Sequence, residues 1–169
     1  MPKKVAKSTL PLEKWEIKNI LDVCNDSYEE RRDLLIIKIL AETGLKIGDV
    51  LDLEKESLKL ADYKVINIYT NSRFISENLS LKLSQDLEEF CEVMLSKEYP
   101  GRNRIFDELS RQSFRVRFMI YAKRAGIQRD VSPSMIKKMI IEEKLKDENG
   151  ITLLDKIRAE YMRIGIGDD

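Results

Sequence analysis

The stretch that most constrains this chain is 32–53, R-D-L-L-I-I-K-I-L-A-E-T-G-L-K-I-G-D-V-L-D-L. Its first half is apolar on nearly every face: Leu34, Leu35, Ile36, Ile37, Ile39, Leu40 and Ala41. A helix that is apolar all round belongs at the centre of a fold, not on its surface. Thr43-Gly44 stops it, with Gly44 suited to the left-handed residue that ends a helix. A short second helical run follows, with Ile47, Val50 and Leu51 at i, i+3 and i+4. Lys46 stands at the corner between the two. A lysine held there is either a solvated corner residue or part of a site.

The rest of the composition bounds the answer. At 169 residues the chain can bury one core, and 43% apolar with 36% charged residues reads as globular. No apolar run reaches membrane-spanning length and no leader pattern opens the chain, so no membrane partner is expected and a cytoplasmic location is the simplest reading. Cys24 and Cys91 match no metal spacing and read as small core residues. Histidine is absent. That removes the usual general base at neutral pH and the commonest metal ligand, so neither a metal nor another cofactor is expected. Net charge is zero, which argues against indiscriminate charge-driven binding. The zero is uneven, however. Residues 101–140 carry ten basic side chains (Arg102, Arg104, Arg111, Arg115, Arg117, Lys123, Arg124, Arg129, Lys137, Lys138) against three acidic ones. A block this basic in a neutral chain is a candidate surface for an anionic partner.

Taken in order, residues 1–10 read as a basic arm. Leu12 to Cys24 reads as a helix whose apolar stripe is Trp15, Ile20, Leu21 and Cys24. After the central helix and its corner, Lys64 to Tyr69 is β-branched and aromatic, hence a strand. Thr70-Asn71-Ser72 is turn chemistry. Arg73 to Leu83 holds a second alternating run, with Leu79, Leu81 and Leu83 two apart, giving an antiparallel sheet of two or three strands. Ser84 is expected to cap a helix with Leu87, Phe90, Cys91, Met94 and Leu95 inside. Ser110 caps the next, which runs to Ala125 and stops at Gly126. Ser132-Pro133 starts another that reaches about Lys146. Thr152 caps a last helix carrying Leu153, Leu154, Ile157 and Tyr161.

A mainly α order with one small antiparallel sheet, and T-G-L-K-I-G-D-V from Thr43 to Val50, resembles the catalytic domain of the tyrosine recombinases, the phage integrase family. Their first box reads T-G-L-R-I-S-E-L. The segment R-I-F-D-E-L-S … F-M-I-Y-A-K-R-A-G-I … V-S-P-S is similar to the family's approach to its second box. The resemblance covers roughly Leu10 to Ile157. It implies one catalytic-like domain over 11–169, without the amino-terminal DNA-clamping domain that usually precedes it.

The family's reaction is a transesterification at a DNA phosphate: a tyrosine attacks, cations stabilise the negative phosphorane, and a hairpin lysine protonates the leaving oxygen. Fixed cations, ideally forked guanidinium groups, suit that charge. Position by position this chain departs from the pattern. The first-box arginine is Lys46. The hairpin lysine falls near Arg73, whose pKa is too high for a proton donor. The second box, H-x-L-R-H in the family, reads Ser134-Met135-Ile136-Lys137-Lys138, so Ser134 replaces a histidine and Lys137 the arginine. The nucleophile is expected about one helix beyond the last helix. Tyr161 is the one downstream tyrosine and falls near the family's later histidine or tryptophan; it also reads as a core aromatic at i+4 from Ile157. No catalytic position is intact, but Lys46, Arg73 and Lys137 remain cations.

Three functional readings follow. The first is a non-catalytic protein that binds double-stranded DNA and regulates transcription or recombination, of phage or mobile-element type. Its contacts would come from Lys46, Arg73, Arg111, Arg115, Arg117, Arg124, Lys137 and Lys138, about half of the helix 110–125 arginines touching DNA. The second is a divergent recombinase or integrase, whole or in part, with Tyr161 as nucleophile. The third is a protein-interaction module without DNA, pairing with an active recombinase, itself or another protein.

Overall fold

The computed structural model describes residues 10–69 and 73–144. The central helix, here α2, spans Tyr28–Thr43. Ser27 starts it, its Oγ accepting from the Glu30 N–H at 3.2 Å, which satisfies one of the orphan amides of a helix start. Ile36, Ile37 and Ile39 are wholly buried, and the helices at 14–22, 47–51, 81–89, 111–124 and 134–144 all pack on it. The expected apolar girdle holds from Leu35 onward. The first two turns add something the pattern did not suggest, burying Glu30, Arg32 and Asp33 as well.

Gly44 ends α2 at φ 73°, its N–H donating to Leu40 O at 2.9 Å. Thr43 Oγ1 donates to Ile39 O at 2.7 Å and accepts from Leu45 N at 3.2 Å, locking the corner. Lys46 is the residue preceding α3 (Ile47–Leu51). Before α2 lies α1 (Lys14–Asp22), which buries Glu16, Ile17 and Ile20. Trp15, expected in its apolar stripe, is instead 53% exposed. The stripe is set by Ile17 and Ile20, which leaves Trp15 on the flank, its Nε1 donating to Glu13 Oε2 at 3.1 Å.

A helix not expected, α4 (Lys55–Leu60), follows. Only Leu58 of it is buried, so it carries almost no periodic signal. Asp62 and Tyr63 then take φ of 56° and 59° and turn Tyr63 into the core, where its hydroxyl donates to Glu92. Strands β1 (Val65–Tyr69) and β2 (Phe74–Asn78) pair antiparallel with Tyr69 opposite Phe74. The second alternating run was expected to reach Leu83. It stops at Asn78, and Leu81 and Leu83 belong to α5 (Leu81–Glu89). Leu83, Leu87 and Cys91 recur every four residues and are buried, whereas Leu81 is 72% exposed. The helical period governs, and Ser80 is the cap, its Oγ accepting from Leu83 N at 3.2 Å. Ser84, expected as that cap, is buried inside the helix.

α5 continues as a π-helical turn, Phe90–Leu95, and ends in Ser96–Glu98. Ser110 caps α6 (Arg111–Arg124), accepting from Ser113 N at 3.0 Å. Helix α7 (Ser134–Lys144) follows directly after Pro133. The arm, the turn at 70–72 and the expected helix around Thr152 and Tyr161 lie outside the described residues. No described helix is long and apolar enough to cross a membrane.

The corner at Gly44 is also a packing point. A Cβ there would stand 3.0 Å from Ile140 Cγ2 of α7. Gly126 has φ 82° but nothing within 4 Å of such a Cβ. Gly44→Ala should therefore cost about 2–4 kcal/mol, the left-handed penalty plus overpacking, against about 1–2 for Gly126→Ala. Urea unfolding midpoints measure the difference. Equal shifts would show that α7 does not press on the corner.

Candidate nucleic-acid interface

The Gly44 corner, the start of α6 and the start of α7 meet. Leu45, Lys46, Ile47, Gly48, Asp49, Arg111, Pro133, Ser134 and Lys137 line one cleft of about 290 Å³. An adjoining cleft of about 320 Å³ shares Ile47, Arg111, Pro133 and Ser134 and adds Gln112, Arg115 and Ser132. The local reasons are visible in the sequence. Gly44 turns the chain so that Lys46 emerges beside α7, and Ile140 seats α7 on that turn. α3 in turn packs on α6.

Lys46, Arg111 and Arg115 are exposed and Lys137 is half-buried. Among the described residues, no carboxylate pairs with any of the four. Arg111 is the first residue of α6 and Lys137 lies in the opening of α7; neither helix has an acidic residue in its first turn. The amide ends of both helices add partial positive charge to the same space. Cations and helix starts repel one another there, so an anion in the cleft relieves the arrangement. Ser134, in first position of α7, offers a hydroxyl 2.9 Å from that of Ser132. Asp49 is the one carboxylate in the lining.

Other basic residues of the 101–140 block are committed elsewhere. Arg117 Nε and the Tyr121 hydroxyl both donate to Asp33 Oδ2, and Arg32 Nε donates to Oδ1 at 3.0 Å. Asp33 has no exposure. Arg124 Nη1 donates to both oxygens of Glu30 at 3.0 Å. Arg129 Nη2 donates to Glu16 Oε1 at 2.7 Å and to Pro11 O at 2.8 Å. Arg102 stacks on Tyr99 and pairs with Glu108, and Arg104 pairs with Asp52 at 2.7 Å. Arg117 and Arg124, expected on a DNA face, are thus held by acids of α2, because a buried carboxylate without a cation is costly. Arg111 and Arg115 point into the clefts.

Of the remaining expected site residues, Arg73 is exposed at the tip of the hairpin, outside both cleft linings, beside the ring pair Tyr69–Phe74 at 4.8 Å. Lys138 is exposed on α7. Tyr161 lies outside the described residues. Among the described residues, no cluster of His, Cys, Asp and Glu is placed to hold a metal ion. Burial pushes the Cys24 thiol up to about 11 and the Cys91 thiol up to about 12, as suits inert core cysteines. Burial and the hydrogen bond to Asp33 push the Tyr121 phenol upward too. Gly48 was not singled out from the sequence; its neighbour Arg111 comes from 63 residues away, and no local signal links them.

Residues 11–148 match the phage integrase family. The chain belongs to that family. The fold is similar to that of XerA recombinase, with a TM-score of 0.70 and 19% identity over 91% of this chain and 55% of that one. It is also similar to XerH site-specific recombinase, solved bound to difH substrate in a pre-cleavage complex, with a TM-score of 0.63 and 16% identity over 96% of this chain and 48% of that one. The chain spans about half the length of these recombinases. No curated protein matches it significantly.

The acid pairs make a prediction about pH. Burial raises the Glu30 carboxyl, but the Asn25 N–H and Arg124 outweigh it and hold it below the usual range. Burial likewise raises Glu108, and hydrogen bonds from Arg32, its own backbone and Arg102 bring it down. Groups depressed on folding stabilise above their unfolded pKa, about 4.3, and that stability is lost as pH falls through the folded values. The urea midpoint should hold from pH 7 to about 5 and fall steeply below about 4, and Glu30→Gln should flatten part of that fall. A midpoint that does not change down to pH 3 would contradict the pairing.

Proposed function

We propose that this phage integrase family member binds the phosphate backbone of duplex DNA through the cleft and does not cut it, acting as a regulator of transcription or of recombination. The observation that carries the reading is the convergence of Lys46, Arg111 and Lys137, all without carboxylate partners among the described residues, on the starts of α6 and α7. Phosphodiester oxygens fit such a cleft, since lysine binds phosphate as a point charge and arginine as a fork. The XerH structure with its DNA substrate supports a nucleic-acid role for this fold.

Side-chain chemistry supports the reading without cutting. The chain has no histidine to shuttle a proton near neutral pH. Ser134, at the position resembling the family's second-box histidine, is neither a cation nor a general acid at that pH. Lys46 and Lys137 supply charge but not the bidentate geometry that holds a crowded, negative transition state. Even with the Arg111 guanidinium in the lining, Ser134 offers no proton donor or acceptor of suitable pKa at its position, which supports phosphate binding without rate enhancement.

Duplex binding should weaken steeply with salt, because each neutralised phosphate releases counterions. Lys46→Ala and Lys137→Ala should each lower the slope of log affinity against log salt by about one, with little sequence dependence. A gel-shift salt series measures this, and the same samples, denatured, should show no covalent adduct. Unchanged affinity in the double variant would remove the cleft from DNA binding. A denaturation-resistant adduct would instead support a divergent recombinase and make Tyr161 the first residue to replace.

A further inference from the structure

We propose that Arg111 is the phosphate fork of the cleft, and that Gly48 is there to admit it. The inference rests on the phosphate reading above and adds a specific pair of residues to it. Lys46 and Lys137 are point charges; among the described residues lining their cleft, Arg111 is the one guanidinium. A planar fork donates two parallel hydrogen bonds to a phosphate and fixes its orientation, which an ammonium does not.

Gly48 lies within the helix α3 (Ile47–Leu51) and does not adopt a positive φ. Its backbone therefore does not require glycine, and glycine inside a helix weakens it. What the missing side chain leaves is room. A Cβ at Gly48 would stand 3.4 Å from Arg111 Nη1 and 3.5 Å from Arg111 Cδ. The arginine stem lies across the face of α3 at Gly48; a methyl group there would only touch it in ordinary van der Waals contact, and a longer side chain would have to displace the stem or the guanidinium. Seating a long side chain against a bare helix face limits its rotamers before any ligand arrives, which is preorganisation.

The charge environment points the same way. Arg102, Arg104, Arg117, Arg124 and Arg129 of the same basic block all have carboxylate partners. Arg111 has none among the described residues. It also opens α6, where a cation opposes the helix dipole. Neither helix stability nor an internal ion pair accounts for an arginine there. An anion in the cleft accounts for both its position and the bare glycine opposite.

The test is a double-variant cycle of Gly48→Leu and Arg111→Ala, read by anisotropy of a fluorescein-labelled duplex over a salt series and by melting temperature. Arg111→Ala should weaken binding by about tenfold and lower the salt slope by about one. Arg111→Lys should keep the slope and recover little of the affinity. Gly48→Leu should leave the melting temperature unchanged or raise it, as leucine favours helix over glycine, yet weaken binding several-fold by displacing the Arg111 stem, whereas Gly48→Ala should bind like the unmodified chain. In the Arg111→Ala background, Gly48→Leu should change binding no further. Arg111→Ala that binds like the unmodified chain, while Lys46→Ala binds more weakly, would overturn the inference and leave the DNA reading standing. Fully additive losses would also overturn it, because Gly48 would not be acting through Arg111. An unmodified chain that binds no duplex at low salt would end both.

Discussion

Asp33 is the interaction on which the rest depends. A carboxylate with no exposure must be matched by donors, and three arrive from two helices: Arg32 from α2, Arg117 and Tyr121 from α6. Glu30, one turn earlier on α2, takes Arg124 near the far end of α6. These two acids fix how α6 lies on α2, and so fix where its first residue, Arg111, emerges. The cleft follows from that placement. Arg111 is placed there by buried ion pairs elsewhere on α6, and among the described residues it has no carboxylate partner of its own.

The arginines of α6 show how far the sequence could be read. At 100° per residue Arg111 and Arg115 lie about 40° apart, and Arg117 and Arg124 about 20° apart on the other side of the buried stripe formed by Phe114, Phe118 and Tyr121. The division into two pairs is present in the spacing. Which pair meets acids and which meets the cleft is not, because Glu30 and Asp33 sit in what reads as the start of an apolar helix. The central helix, its stop at Gly44 and the cap at Ser110 were legible, since each depends on residues close in sequence. The boundary between β2 and α5 was not, because Leu79, Leu81 and Leu83 fit a two-residue alternation by chance while Leu83 and Leu87 set the true period. α4 buries one leucine and gave no pattern to read.

The candidate site was partly legible for a different reason. Resemblance to the phage integrase family marked Lys46, Ser134 and Lys137, which lie 91 residues apart at the extremes and could not be joined by periodicity. The structure brings those three to one cleft and adds Arg111. It leaves Arg73 outside the lining, at the hairpin tip, and gives Arg117 and Arg124 to the core acids. Gly48 carries no signal by itself. Its meaning comes only from the side chain laid across it.

The central claim is that a DNA phosphate sits among Lys46, Arg111 and Lys137. At 19.7 kDa the chain suits amide-resolved NMR, and titration with a short duplex tests that claim most directly. The account predicts that the largest shifts fall on Lys46–Asp49, Arg111–Gln112 and Ser134–Lys137, and that they reverse on adding salt. Shifts that spare these three segments and fall elsewhere, or spectra that do not change with duplex, would contradict it.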